Sequence, residues 1–259
     1  MRAGGRAGLG WVLGLALLGA LVAPARAAAD ASPPGCDAPA YMLSTGITLG
    51  KVVAALKNDR KLDILVVGSR SSSINSAEST AYPARLQTLL RDRLPGIAVN
   101  VTFEMRVKRT AAEVGAGLGQ LVADRKPALL IWQTGTYDAI RSIDADDFRH
   151  ALSEGIEASQ KAGADVILMN LQYSPRIETM INPAPYLDNM RAVAQEHDVP
   201  LFDRFALMRH WNETGEFDLF NPSPGIDLAM RVHNCIARAL STFIVDTAKI
   251  TPSELRTLR

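Results

Sequence analysis

A run of hydroxyls broken by one guanidinium, Ser69-Arg70-Ser71-Ser72-Ser73, follows directly on the strand-like stretch 61–68 and its terminal glycine, Gly68. A serine at the end of a strand can attack an acyl carbon through its oxygen, provided a general base takes its proton. Ser69 and Ser71 are the candidate nucleophiles, and His233 is the substitute base the chain offers them. The same hydroxyls also serve to cap the turns they sit in. Arg70 has a different use: its planar fork, beside the backbone donors of the turn, suits a carboxylate, a sulfate or an acidic sugar, or it pairs internally with Glu78 or Asp138. His150, His197 and His210 lack metal-ligand spacing and read as surface or capping residues, so no metal is expected. No glycine-rich phosphate loop follows any strand-like run, and no nucleotide or other cofactor is expected.

The elements that must hold these groups form a regular alternation. Apolar runs at 62–67, 97–103, 128–132, 165–171 and 199–202 are separated by helix-like segments. The segment 83–94 carries Leu86, Leu89, Leu90 and Leu94 on one face, with Pro83 in its first turn. A final helix starting near Asp227 presents Leu228, Val232, Cys235, Ile236, Ala239, Leu240 and Phe243, with His233 as a partly exposed residue inside it. Strands that are continuous apolar runs are buried on both faces, which predicts a three-layer α/β/α domain around a five-stranded parallel sheet. In such sheets ligands sit at the carboxyl ends of the strands. The loops after the strand-like runs therefore supply the ligand candidates Arg70, Ser71, Gln133, Tyr137, Gln172, Tyr173 and Arg176.

Read in order, those loops resemble one family. Ile64-Leu65-Val66-Val67-Gly68-Ser69-Arg70-Ser71, the helix opening Tyr82-Pro83-Ala84-Arg85-Leu86, and the strand end Trp132-Gln133-Thr134-Gly135-Thr136-Tyr137-Asp138 are similar to the exported bacterial branch of the SGNH, or GDSL, hydrolases. Ala164 to Arg176 and Cys235-Ile236-Ala237-Arg238-Ala239-Leu240 continue the match. The resemblance implies a flavodoxin-like sheet and the chemistry of esterases, lipases and carbohydrate deacetylases. It also implies where catalysis would reside, and there the residues differ. The nucleophile position holds Arg70, and the oxyanion-hole asparagine is Tyr137. The family's Asp-x-x-His falls on Pro224-Gly225-Ile226-Asp227, and the oxyanion-hole glycine after the second strand has no counterpart. The expectation is a catalytically degenerate protein with a binding or accessory role in the cell envelope, taking an acyl or carbohydrate ligand or an envelope protein partner. The alternative is a divergent esterase or deacetylase that uses Ser69 or Ser71.

Residues 1–27 read as an export signal: Arg2 and Arg6 precede the apolar run 9–22, and Ala25-Arg26-Ala27 ends it. That run is shorter than the roughly 20 residues of a membrane span, so a periplasmic or secreted product is expected. Residues 28–43 then read as a flexible tether, 44–250 as the domain and 251–259 as a tail. Loss of the leader removes three arginines and no acid, so the net charge of +1 becomes −2. This balance gives no footprint for nucleic acid. Cys36 and Cys235 are the two cysteines of the chain; they pair if the fold brings them together in an oxidising compartment, and otherwise Cys235 packs as a small apolar residue.

Overall fold

The computed structural model describes residues 35–75, 77–221 and 226–249, all within one compact unit. Five parallel strands, β1 (Lys61–Gly68), β2 (Ala98–Met105), β3 (Leu129–Gln133), β4 (Asp165–Met169) and β5 (Leu201–Phe202), lie in the order β2-β1-β3-β4-β5. This is the flavodoxin-like order, with its switch point between β1 and β3. Every residue of β3 is buried, as its unbroken apolar sequence requires.

Before the sheet come α1 (Ala40–Leu43) and α2 (Gly50–Ala54), the latter running on as a wider turn over Ala55–Asp59. Between the strands lie α3 (Tyr82–Arg93), α4 (Ala111–Arg125), α5 (Thr136–Ile140), α6 (Ala145–Lys161), α7 (Pro175–Met180) and α8 (Ala184–Glu196). The helices α9 (Arg204–Glu213) and α10 (Asp227–Ala248) follow β5. Helix α6 packs between α4 and α8, while α3 packs against α10. The expected export signal, residue 224 and the expected tail 251–259 fall outside the described residues. The expected tether is corrected at its end, because residues 40–43 are helical and Cys36 is joined to Cys235 by a disulfide with Cα atoms 5.1 Å apart.

Two small residues set how closely α4 and α6 approach the sheet. A Cβ at Gly155 would lie 2.6 Å from the Trp132 ring, and one at Gly115 would lie 3.2 Å from the Ala151 carbonyl oxygen. Trp132 is fully buried and has no room to retreat. Gly155→Ala is therefore expected to lower stability by about 1–3 kcal/mol through overpacking, despite alanine's better helix propensity. A denaturant midpoint equal to or above the parent's would refute this.

The register aligns Gly68 with Met105, Val67 with Trp132, and Gln133 with Met169. The turns after β1, β2, β3 and β4 thus emerge at one end of the sheet.

Candidate functional site

The serine turn is bound from below by Gln133, the last residue of β3. Its side-chain oxygen accepts bonds from the Ser69 amide at 3.1 Å and the Ser72 hydroxyl at 2.6 Å. Gly68 permits this approach, since a Cβ there would lie 2.7 Å from the Ser72 hydroxyl and 2.8 Å from the Gln133 oxygen. Arg70–Ser72 then winds into one 3₁₀ turn, with the amides of Ser72 and Ser73 donating to the carbonyls of Ser69 and Arg70. Ser72 is fully buried and also bonds the Tyr82 hydroxyl at 3.1 Å. The Ser69 and Ser71 hydroxyls lie 3.2 Å apart. Ser71 in turn accepts a bond at 3.3 Å from Nη1 of Arg204, the first residue of α9.

Arg204 is the residue that sequence reasoning missed. It is fully buried, and its Nε and Nη2 have no hydrogen-bond partner among the described residues. Burial lowers its pKa to about 10, while the Tyr82 phenol opposes that shift. A guanidinium this deep normally faces a carboxylate. Here its one hydrogen bond among the described residues goes to the Ser71 hydroxyl, and the Tyr82 phenol and the neutral His233 ring are its other polar neighbours. Burial also raises the Tyr82 pKa, and the Ser72 bond and the charge of Arg204 work against that rise.

His233 is 8 % exposed, which corrects the expectation of a partly exposed helix residue. Its Nδ1 accepts a 3.0 Å bond from the Tyr82 amide, and the two rings lie 5.8 Å apart. Burial, then the charges of Arg204 and Arg85, lower its pKa to about 4. It is a neutral acceptor at pH 7, fastening α10 to the start of α3. No serine of the turn is bonded to it among the described residues.

Arg70 is exposed and makes no ion pair with Glu78 or Asp138 among the described residues. Asp138 is turned elsewhere: its buried carboxylate accepts the Ala111 amide at 2.8 Å at the start of α4, and burial raises its pKa. Tyr137 is half-buried, with the Arg141 guanidinium 5.8 Å from its ring centroid. The space among Gly68, Ser69, Arg106, Gln133, Gly135 and Tyr137 is only about 20 Å³, close to the room one water needs. A larger cleft of about 440 Å³ opens on the other side of the turn, between Ser73, Glu78 and the end of β2.

The remaining candidates scatter. Gln133 is buried beneath the turn and bonded to it, so its amide is largely committed. Gln172 is half-buried, its amide 3.4 Å from the Thr136 hydroxyl. Tyr173 is corrected from a rim residue to a packing residue: it is 5 % exposed and meets the Phe205 ring edge-on at 5.2 Å. Arg176 is exposed at the start of α7, and Asp227 is exposed at the start of α10.

A family model described as "Non-GDSL lipase-like family" matches residues 35–250. No curated protein matches the chain. Among solved structures, the chain is similar to TesA, with 24% identity and a TM-score of 0.54 over 69% of this chain and 97% of that one. It is similar to a variant of Axe2, an acetyl-xylooligosaccharide esterase from Geobacillus stearothermophilus, with 18% identity and a TM-score of 0.57 over 71% and 94% of the two chains. It is also similar to LAE5, an α/β hydrolase from the metagenome of Lake Arreo, Spain, with 20% identity and a TM-score of 0.56 over 71% and 96%. At these identities the structures establish a shared fold.

Proposed function

This chain belongs to the non-GDSL lipase-like family, and from that premise we propose an exported, catalytically degenerate hydrolase-like protein that binds an acyl or carbohydrate ligand, or a protein partner, in the cell envelope. One observation carries the loss of catalysis: no hydroxyl of the serine turn is bonded to an imidazole or a carboxylate among the described residues. Ser72 is held by Gln133 and Tyr82, and Ser71 by Arg204. A serine without a base stays protonated at neutral pH and attacks poorly. Arg70, where the resemblance puts the nucleophile, is exposed and without an ion-pair partner among the described residues, which suits an anionic group on a ligand. Export is supported by the charged and apolar pattern of residues 1–27 and by the Cys36–Cys235 disulfide, a bond typical of oxidising compartments.

A second reading has one observation in its favour. The cation of Arg204 sits 3.3 Å from the Ser71 oxygen and would stabilise that oxygen as an alkoxide. This favours a divergent serine esterase or deacetylase through Ser71, or through its neighbour Ser69. The two readings separate on incubation of the purified protein with p-nitrophenyl acetate and a fluorophosphonate probe. The expected result is ester hydrolysis indistinguishable from that of Ser69→Ala and Ser71→Ala variants, with no serine labelled. Stoichiometric labelling of Ser69 or Ser71, or turnover abolished by either substitution, reverses the assignment.

A further inference from the structure

Strand β2 is an edge strand, and an edge carries main-chain donors and acceptors that need a partner or a cover. The amides of Ala98 and Arg106 point inward, to the carbonyls of Arg60 and Gly68. By the alternation of a parallel ladder, the main-chain groups of 99, 101, 103 and 105 face outward. Helix α3 covers the first half of this edge with side chains: Arg91 donates to the Val99 carbonyl at 3.0 Å, and Gln87 accepts the Val101 amide at 2.8 Å. The cover stops there. Among the described residues, none is bonded to the outer side of Phe103 or Met105.

The 440 Å³ cleft lies beside this uncovered end, within the size range of small ligand sites. Pro83, Ala84, Val101, Phe103 and Met105 supply its apolar wall. Met105 is 40 % exposed, so part of that wall faces water. Glu78 is the one titratable side chain lining the cleft; it is exposed and makes no ion pair among the described residues. An open strand edge, an apolar recess beside it and an unneutralised carboxylate together suit one kind of occupant.

We propose that the outer edge of β2 at Phe103 and Met105, with the adjoining cleft, docks an extended peptide segment of a partner protein as a sixth strand. The peptide's main chain bonds the outward groups of Phe103 and Met105. One large apolar side chain enters the cleft, and a lysine or arginine on the same face, two positions along, meets Glu78. The cleft borders the serine turn at Ser72 and Ser73, but strand addition uses the β2 edge and stands whether that turn binds, hydrolyses or does neither.

The test pans a phage-displayed random heptapeptide library against the purified full chain, with a Met105→Pro variant as counter-target. Proline at 105 removes an outward amide and leaves the ladder to β1 intact, a substitution that edge strands tolerate. Enriched peptides are expected to carry an aromatic or large aliphatic residue and a basic residue at two-residue spacing. Met105→Pro is expected to weaken them about tenfold, the worth of one or two main-chain hydrogen bonds, and Glu78→Lys is expected to weaken them as well. Hydrogen exchange gives the second reading. Bound peptide slows the amides of Phe103 and Met105, while amides of β1 and β3 exchange equally in parent and variant, which certifies the variant's fold. Peptides that bind Met105→Pro as well as the parent, or no enrichment over that variant, overturn the proposal. Peptide protection confined to the serine turn overturns it too. Dimers of the free chain that dissociate in Met105→Pro would assign the edge to a second copy instead.

Discussion

Replacing Cys36 and Cys235 together with serine is expected to lower unfolding stability by about 4 kcal/mol, a large part of the margin of an ordinary domain. The two residues are 199 positions apart, so the bond constrains almost the whole described chain. In the chain-entropy picture a loop of this size is worth about 5 kcal/mol, acting on the unfolded state, and measured removals run slightly lower. The folded side contributes as well. Cys235 is 2 % exposed on α10, and the segment it holds is also fixed by a 2.9 Å bond from the Trp211 indole to the Asp37 carbonyl. Urea unfolding of oxidised protein, reduced protein and the double variant measures the effect. If all three midpoints coincide, the bond is not formed or contributes nothing.

Acidification should weaken the protein through His233. Its folded pKa is about 4 against an ordinary 6.5, because burial and the charges of Arg204 and Arg85 oppose a second cation there. Above pH 6.5 the residue is neutral folded or unfolded, and its contribution is fully present. Between pH 6.5 and about 4 the unfolded chain takes up a proton that the folded chain refuses, so stability falls with falling pH. The loss from this group is about 3 kcal/mol and is complete once the pH drops below the folded pKa. Protonation would also cost the 3.0 Å bond that Nδ1 accepts from the Tyr82 amide, loosening α3 from α10. Other carboxylates titrate in the same window, so the informative quantity is the difference from His233→Asn, whose side-chain oxygen keeps an acceptor near the Nδ1 position. Stability curves for parent and variant that run parallel from pH 7 to pH 4 would exclude the effect.

The architecture was legible because burial on both faces leaves strands no alternation. The apolar runs at 62–67, 128–132 and 165–171 each enclose or meet an observed strand. Helix α1 was not legible: four residues carry no period, and its place depends on a disulfide and an indole bond from distant parts of the chain. The serine turn and Gln133 could be seen as a motif at two strand ends. What the sequence hid is depth. Arg204 follows Asp203 at the start of a helix, a pairing that reads as a solvated face, yet the chain buries it completely under Ser71. His233 likewise reads as a surface helix residue until Tyr82, 151 positions earlier, arrives to cover it. Arg70 shows the converse: of its two expected uses, internal pairing with Glu78 or Asp138 is not seen among the described residues, and the charge stands exposed on the 3₁₀ turn.

The bond between Trp211 and Asp37 also gives the molecule an optical reporter. The described residues include two indoles, both out of water: Trp132 is set in the sheet against Gly155, and Trp211 lies against the strap that the disulfide secures. Releasing the strap alone would wet one fluorophore and leave the other dry. Partial detachment would thus appear as a red-shifted component from Trp211 with Trp132 unshifted, distinct from the shift of both on global unfolding.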